Sequence, residues 1–156
     1  MYSKYFAYVL FCLFAISVMS CNTKEVIDVE AEGLSTKPVI ELLDIFPAEI
    51  SLSQQDSLHF IVAYYDGDGD LGYENKDSSS LFIRDMRPQG ETTSFYVPLL
   101  NPSNTSVSIR GEVHIVLKDI AKLSEETEQT YFQIQLKDRS GNWSNIVQSA
   151  NINIQP

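Results

Sequence analysis

Leu58-His59-Phe60-Ile61-Val62-Ala63-Tyr64-Tyr65 is the stretch on which the fold turns. Leu58, Phe60, Val62 and Tyr64 fall on one side of an extended chain and His59, Ile61, Ala63 and Tyr65 on the other, the period of two that a strand requires. Its β-branched and aromatic residues suit a pleated surface half-buried against a core. The signature repeats outward in both directions. Upstream, Pro38 to Phe46 reads as a strand closed by Pro47. Downstream, Ser80 to Met86 and Thr93 to Leu99 read as two more, followed by a loop at Asn101-Pro102-Ser103-Asn104. Val113, Ile115 and Leu117 alternate with Glu112, His114 and Val116 in a fifth strand, and Phe132, Ile134 and Leu136 mark a sixth. Ile146, Gln148, Ala150, Ile152 and Ile154 share one face of the last, with Asn151 and Asn153 outward. Between the fifth and sixth, Lys118 to Glu128 has room for a short helical turn with Ile120 and Leu123 inward. The expectation is an all-β fold, a seven-stranded sandwich over residues 38–156.

The start of the chain is of another kind. Lys4 supplies a positive charge, and Tyr5 to Met19 is an apolar run. At roughly fifteen residues it falls short of the about 20 that a spanning helix needs. It ends in Val18-Met19-Ser20-Cys21, with an aliphatic residue at −3 and a small one at −1. This resembles the lipobox of bacterial lipoproteins, with Met19 departing from the usual small or aliphatic residue. The resemblance implies that residues 1–20 are a cleaved signal peptide and that Cys21 carries fatty acyl chains such as palmitate. The other reading is an ordinary signal peptide with a chance cysteine. One acyl chain holds a protein only marginally, at about 0.8 kcal/mol per buried methylene, so two or three would anchor it firmly. Asn22, rather than aspartate, follows the cysteine, which points to the outer membrane with the face left open. Residues 21–37, acidic and polar through Glu25, Asp28 and Glu30, read as the lipidated cysteine and a flexible tether.

Acidic residues number 21 against 11 Lys and Arg, a net charge of −10, and the leader removes one of the cations. Such a body repels nucleic acid and anionic lipid surfaces alike. The expected partners are the membrane through the N-terminal lipid, and an envelope protein or a glycan. Cys12 and Cys21 are the only cysteines, so the body can form neither an internal disulfide nor a thiolate metal site.

The order of strand, Asp66-Gly67-Asp68-Gly69-Asp70-Leu71-Gly72 loop, strand, and late Leu136-Lys137-Asp138-Arg139-Ser140-Gly141-Asn142-Trp143 hairpin resembles small immunoglobulin-like domains of Gram-negative envelope lipoproteins. The resemblance covers residues 38–156 and implies an immunoglobulin-like sandwich whose last two strands are joined by the Asp138–Asn142 turn. Phe132 stands where such domains often have a corner tyrosine.

The acidic loop carries the sharpest chemistry. Carboxylates at alternate positions with glycines between can turn three hard oxygens toward one point, up to half of what calcium takes. The pattern resembles the first half of an EF-hand loop but departs at its sixth position, where Leu71 replaces glycine. In an immunoglobulin-like sandwich this loop and the late hairpin lie at one end, which would bring Asp138 and Asn142 to Asp66, Asp68 and Asp70, with Glu74 or Asp77 as a further ligand. Calcium (Ca2+) is thus the expected cofactor, with Asp66, Asp68, Asp70 and Asp138 as its ligands. Two other readings remain open: a turn needing only positive φ at glycine, and direct ligand contact.

Aromatic residues, Tyr64, Tyr65, Tyr73 and Trp143, flank the same loop and hairpin. Tyr65, Tyr73 and Trp143 could stack on a sugar, or Trp143 could simply cover the end of the core. His59 and His114 sit outward on different strands without a third imidazole or a thiol, a poor zinc set. No Gly-x-Ser-x-Gly, His-Glu-x-x-His or phosphate loop occurs. The expectation is therefore a non-catalytic lipid-anchored envelope module, binding or structural, with a calcium-stabilised apex loop. The alternative is a glycan-binding or adhesive accessory lipoprotein.

Overall fold

The structure, a computed structural model, describes residues 35–103 and 105–156; the leader, Cys21 and the tether as far as residue 34 lie outside the described residues. Ten strands are formed: β1 (Val39–Phe46), β2 (Glu49–Ser51), β3 (Leu58–Asp66), β4 (Leu81–Asp85), β5 (Thr92–Phe95), β6 (Ile109–Leu117), β7 (Glu128–Thr130), β8 (Phe132–Leu136), β9 (Val147–Gln148) and β10 (Ile152–Gln155). They make three sheets, ordered β1-β3-β6, β2-β10-β7 and β5-β4-β8-β9. All paired strands are antiparallel except β10 with β2. Among the described residues the one helical element is a 3-10 turn, Leu52–Gln54. The fold is all-β and sandwich-like.

The alternation read from β3 places Leu58, Phe60 and Val62 fully inside. They meet Ile40 of β1, Ile50 of β2, Leu81 and Ile83 of β4, Ile115 and Leu117 of β6, Phe132, Ile134 and Leu136 of β8, and Ile152 and Ile154 of β10 in one core. Phe60 and Phe132 touch edge-to-face, 5.7 Å between centroids, a geometry that favours the pair beyond its buried area. Asn145 ties β1 to the segment before β9. Its side chain accepts from the Ile40 amide at 2.8 Å and donates to the Ile40 carbonyl at 2.8 Å, replacing a backbone partner.

Several boundaries differ from those expected. Residues 118–127 form no helix; Asp119 adopts a left-handed φ of 55°, and Ile120 packs on the core from an irregular loop. The last strand is broken. Ile152 and Ile154 are buried, but Ile146 is 53 % exposed and Gln148 and Ala150 also face outward. The physical reason is a one-residue shift of parity. Val147 turns inward in β9, and Ser149 then bonds both the amide and the carbonyl of Phe132, so β10 resumes on the other parity. The β2 strand, too short to show alternation, was not expected. Tyr131 alone separates β7, which pairs with β10, from β8, which pairs with β4 and β9.

Candidate metal centre

The β3 strand ends at Asp66, which points inward and is fully buried. Gly69 and Gly72 then hold φ of 69° and 82°, the left-handed region open to glycine. At Gly72 the requirement is doubled, because an added Cβ would collide with the Pro98 carbonyl. Leu71, fully buried, pins the loop to the core, and the Tyr73 amide donates to Val97 at 2.9 Å.

The late hairpin approaches from the other side. Asp138, fully buried, closes the turn with its own side chain: one oxygen accepts from the Asn142 amide at 2.7 Å and the other from the Asn142 side chain at 2.9 Å. Gly141, at φ of 91°, lets the chain reverse. Hairpin and loop are joined directly. The Arg139 amide donates to the Asp70 carbonyl at 3.2 Å, and the Ser140 amide and hydroxyl donate to one Asp70 carboxylate oxygen at 3.0 and 2.6 Å. Arg139 also reaches the carbonyls of Leu71 and Gly72. The Tyr73 hydroxyl donates to the Asp138 carbonyl at 3.1 Å.

These contacts bring one carboxylate oxygen each of Asp66, Asp70 and Asp138 within 4.8 Å of one another. What distinguishes the cluster is what its oxygens lack. Neither oxygen of Asp66 accepts a hydrogen bond, nor does Oδ1 of Asp68 or Oδ1 of Asp70, although all four are buried. Burial raises the Asp66 carboxyl to about 7, and the charges of Asp68, Asp70 and Asp138 add to the rise. The Asp70 amide offsets part of it without reaching hydrogen-bonding geometry.

A second buried charge cluster, at Arg87, shows the contrast. Arg87 donates to Asp85 at 2.8 and 2.6 Å, to Glu128 at 2.8 Å and to the Ala121 carbonyl at 2.9 Å, and Thr130 donates to Asp85. Burial alone would lower the guanidinium, but its hydrogen bonds to the two carboxylates leave it raised. There each carboxylate is paired with the guanidinium and hydrogen-bonded, as a structural network should be. At the apex, both Asp66 oxygens and one oxygen each of Asp68 and Asp70 lack donors, the arrangement a hard cation completes.

Oxygens on a calcium shell of about 2.4 Å radius lie at most about 4.8 Å apart. The three carboxylate oxygens stay within that limit, and among the described residues no imidazole or thiol joins them to favour a softer metal. Asp68 stands outside the three-residue set but adds its orphaned oxygen beside it. Glu74 and Asp77, the other ligands considered, are exposed and outside the cluster. Asn142 turns its side-chain nitrogen toward Asp138 and the Thr36 carbonyl. The sequence reading missed Ser140, whose two donors fix Asp70; a serine in a turn carries no signal of that role.

No family model and no curated protein matches the chain. Function therefore rests on the geometry.

The three aromatic residues considered for a sugar platform lie on different elements. Tyr65 lies in β3 between Val39 and Arg110, and Tyr73 is bonded to the Asp138 carbonyl of the late hairpin. Trp143, 44 % exposed, touches Phe82 instead, 4.9 Å between centroids, with the Lys137 ammonium 5.3 Å from its ring centre.

Proposed function

We propose that this chain is a non-catalytic, lipid-anchored module of the bacterial cell envelope, immunoglobulin-like in fold, whose apex is closed by a calcium ion. The observation that carries the calcium reading is the buried Asp66 carboxylate, with both oxygens free of donors among three further carboxylates. Asp66, Asp70 and Asp138 would bind directly, and Asp68 would supply a fourth carboxylate. The ion would cross-link the end of β3 to the hairpin after β8, stiffening the glycine-rich loop. That role is mechanical: it fixes a surface at the end of the domain and requires no reaction.

Ladder order supports the immunoglobulin-like reading. The β1-β3-β6 ladder forms one layer, and β5-β4-β8-β9 with β7 and β10 would form the other. Taking β7 with β8 and β9 with β10 as interrupted single strands leaves seven principal strands, with β2 added beside β10. Anchoring rests on Lys4, the apolar run and Cys21, and outer-membrane placement on Asn22. The glycan-binding alternative finds its support on the outer face of β5-β4-β8-β9 rather than at the apex.

Thermal unfolding in calcium and then in chelator tests the proposal. A site filled to a hundred times its dissociation constant adds about 2.7 kcal/mol, and the midpoint should rise by roughly 10 °C. Coincident curves would reduce the loop to turn chemistry.

A further inference from the structure

The outer face of the β5-β4-β8-β9 sheet carries a set of side chains that a calcium-closed apex does not use. Register places Thr92 and Ser94 of β5, Phe82 and Arg84 of β4, Gln133 and Gln135 of β8 and Gln148 of β9 on that face, because their neighbours Leu81, Ile83, Ile134 and Leu136 are all in the core. Lys137, paired with Trp143, and the exposed Ile146 extend it toward the hairpin. In a chain with 21 acidic residues, none of these positions carries a carboxylate, while two carry cations. The face is therefore opposite in sign to the protein that bears it.

We infer that this face binds an acidic polysaccharide. Phe82 and the half-exposed Trp143 form an aromatic surface for the apolar C–H side of a sugar ring. The amides of Gln133, Gln135 and Gln148, with the hydroxyls of Thr92 and Ser94, offer both donors and acceptors to sugar hydroxyls. Gln133 donates to Gln148 and Gln135 to the Ser144 carbonyl, so these amides are held in place with bonding capacity left over. Arg84, exposed, and Lys137 stand toward opposite ends of the platform, where they would pair with carboxylates along a uronic acid chain. Charge chooses an acidic glycan over a neutral one. The interleaving of amides and hydroxyls with only three apolar side chains chooses a sugar over a protein surface, whose interface core would be more continuously apolar.

Trp143 is the chain's single tryptophan, so its emission reports this face alone. The test titrates the purified protein with short oligogalacturonates and with their methyl esters, which keep the sugar backbone and lose the charge. The acidic oligomers should shift or quench the emission saturably. Esterification should weaken binding at least about tenfold, as should Arg84→Gln, an exposed substitution that leaves the core untouched. An unchanged emission throughout overturns the inference. So does equal binding of the esters, or binding indifferent to Arg84→Gln; capture of an acidic protein with no response to either oligomer would assign the face to a protein partner instead. Free calcium buffered to one value in both titrations, since the acidic oligomers themselves bind the ion, keeps the result independent of the apex site.

Discussion

Asp66→Asn separates a metal site from an acidic turn, because it should stabilise the protein in one condition and destabilise it in the other. In the metal-free protein Asp66 is fully buried with a carboxyl raised from 3.8 to about 7, first by burial and then by Asp68, Asp70 and Asp138. A gap of about 3 units corresponds to about 4 kcal/mol of strain in keeping the group ionised near pH 8. Asparagine keeps the shape, removes the charge and brings two N–H donors into a cluster where Asp68 and Asp70 each have an oxygen without a donor. Burial of any part of the amide left unbonded costs about 1–3 kcal/mol, so the net gain is about 2 kcal/mol. In chelator the midpoint should therefore rise by about 8 °C over the parent protein. In calcium the order reverses, since the variant lacks the central ligand and gains nothing from the ion. Calorimetric unfolding of both proteins in both conditions reads all four values. A variant less stable in chelator, or one still raised by calcium as much as the parent, refutes the reasoning.

The same carboxyl predicts a pH dependence. Between about pH 4 and 7 the folded metal-free protein retains on Asp66 a proton that the unfolded chain has released, so stability falls as pH rises through that window and levels off above it. Calcium should correspondingly contribute most above pH 7, where no proton competes; denaturant midpoints across the range, with and without the ion, check both signs. Gly72→Ala should cost about 3 kcal/mol by urea unfolding, combining a left-handed φ with collision against Pro98. Gly141→Ala, at φ of 91° but with open space around its Cβ, should cost only about 1 kcal/mol.

Much of the core was legible because its strands alternate cleanly. In β3, β6 and β8 the apolar residues repeat at every second position, and each of those runs contributes buried side chains to the core. Legibility failed where side chains replace backbone pairing. Ser149 and Asn145 break or bridge strands through their own hydrogen bonds, and nothing in a polar residue's position announces that it will do so. The acidic loop was visible from its Asp-x-Asp-x-Asp spacing, and its meeting with Asp138 followed from the expected topology. Its electrostatic state was not visible, because the depth of Asp66 depends on Leu71 and the hairpin closing over it. The contact of Phe82 with Trp143 was not legible, because it follows from strand register rather than from the loop and hairpin that drew attention to Tyr65, Tyr73 and Trp143.

Calcium titration of the chelator-treated protein by isothermal calorimetry near neutral pH tests the central claim most directly. The account predicts saturable binding of one ion per chain, abolished by Asp138→Asn. Absence of saturable heat up to millimolar free calcium, in protein that is folded, would contradict it.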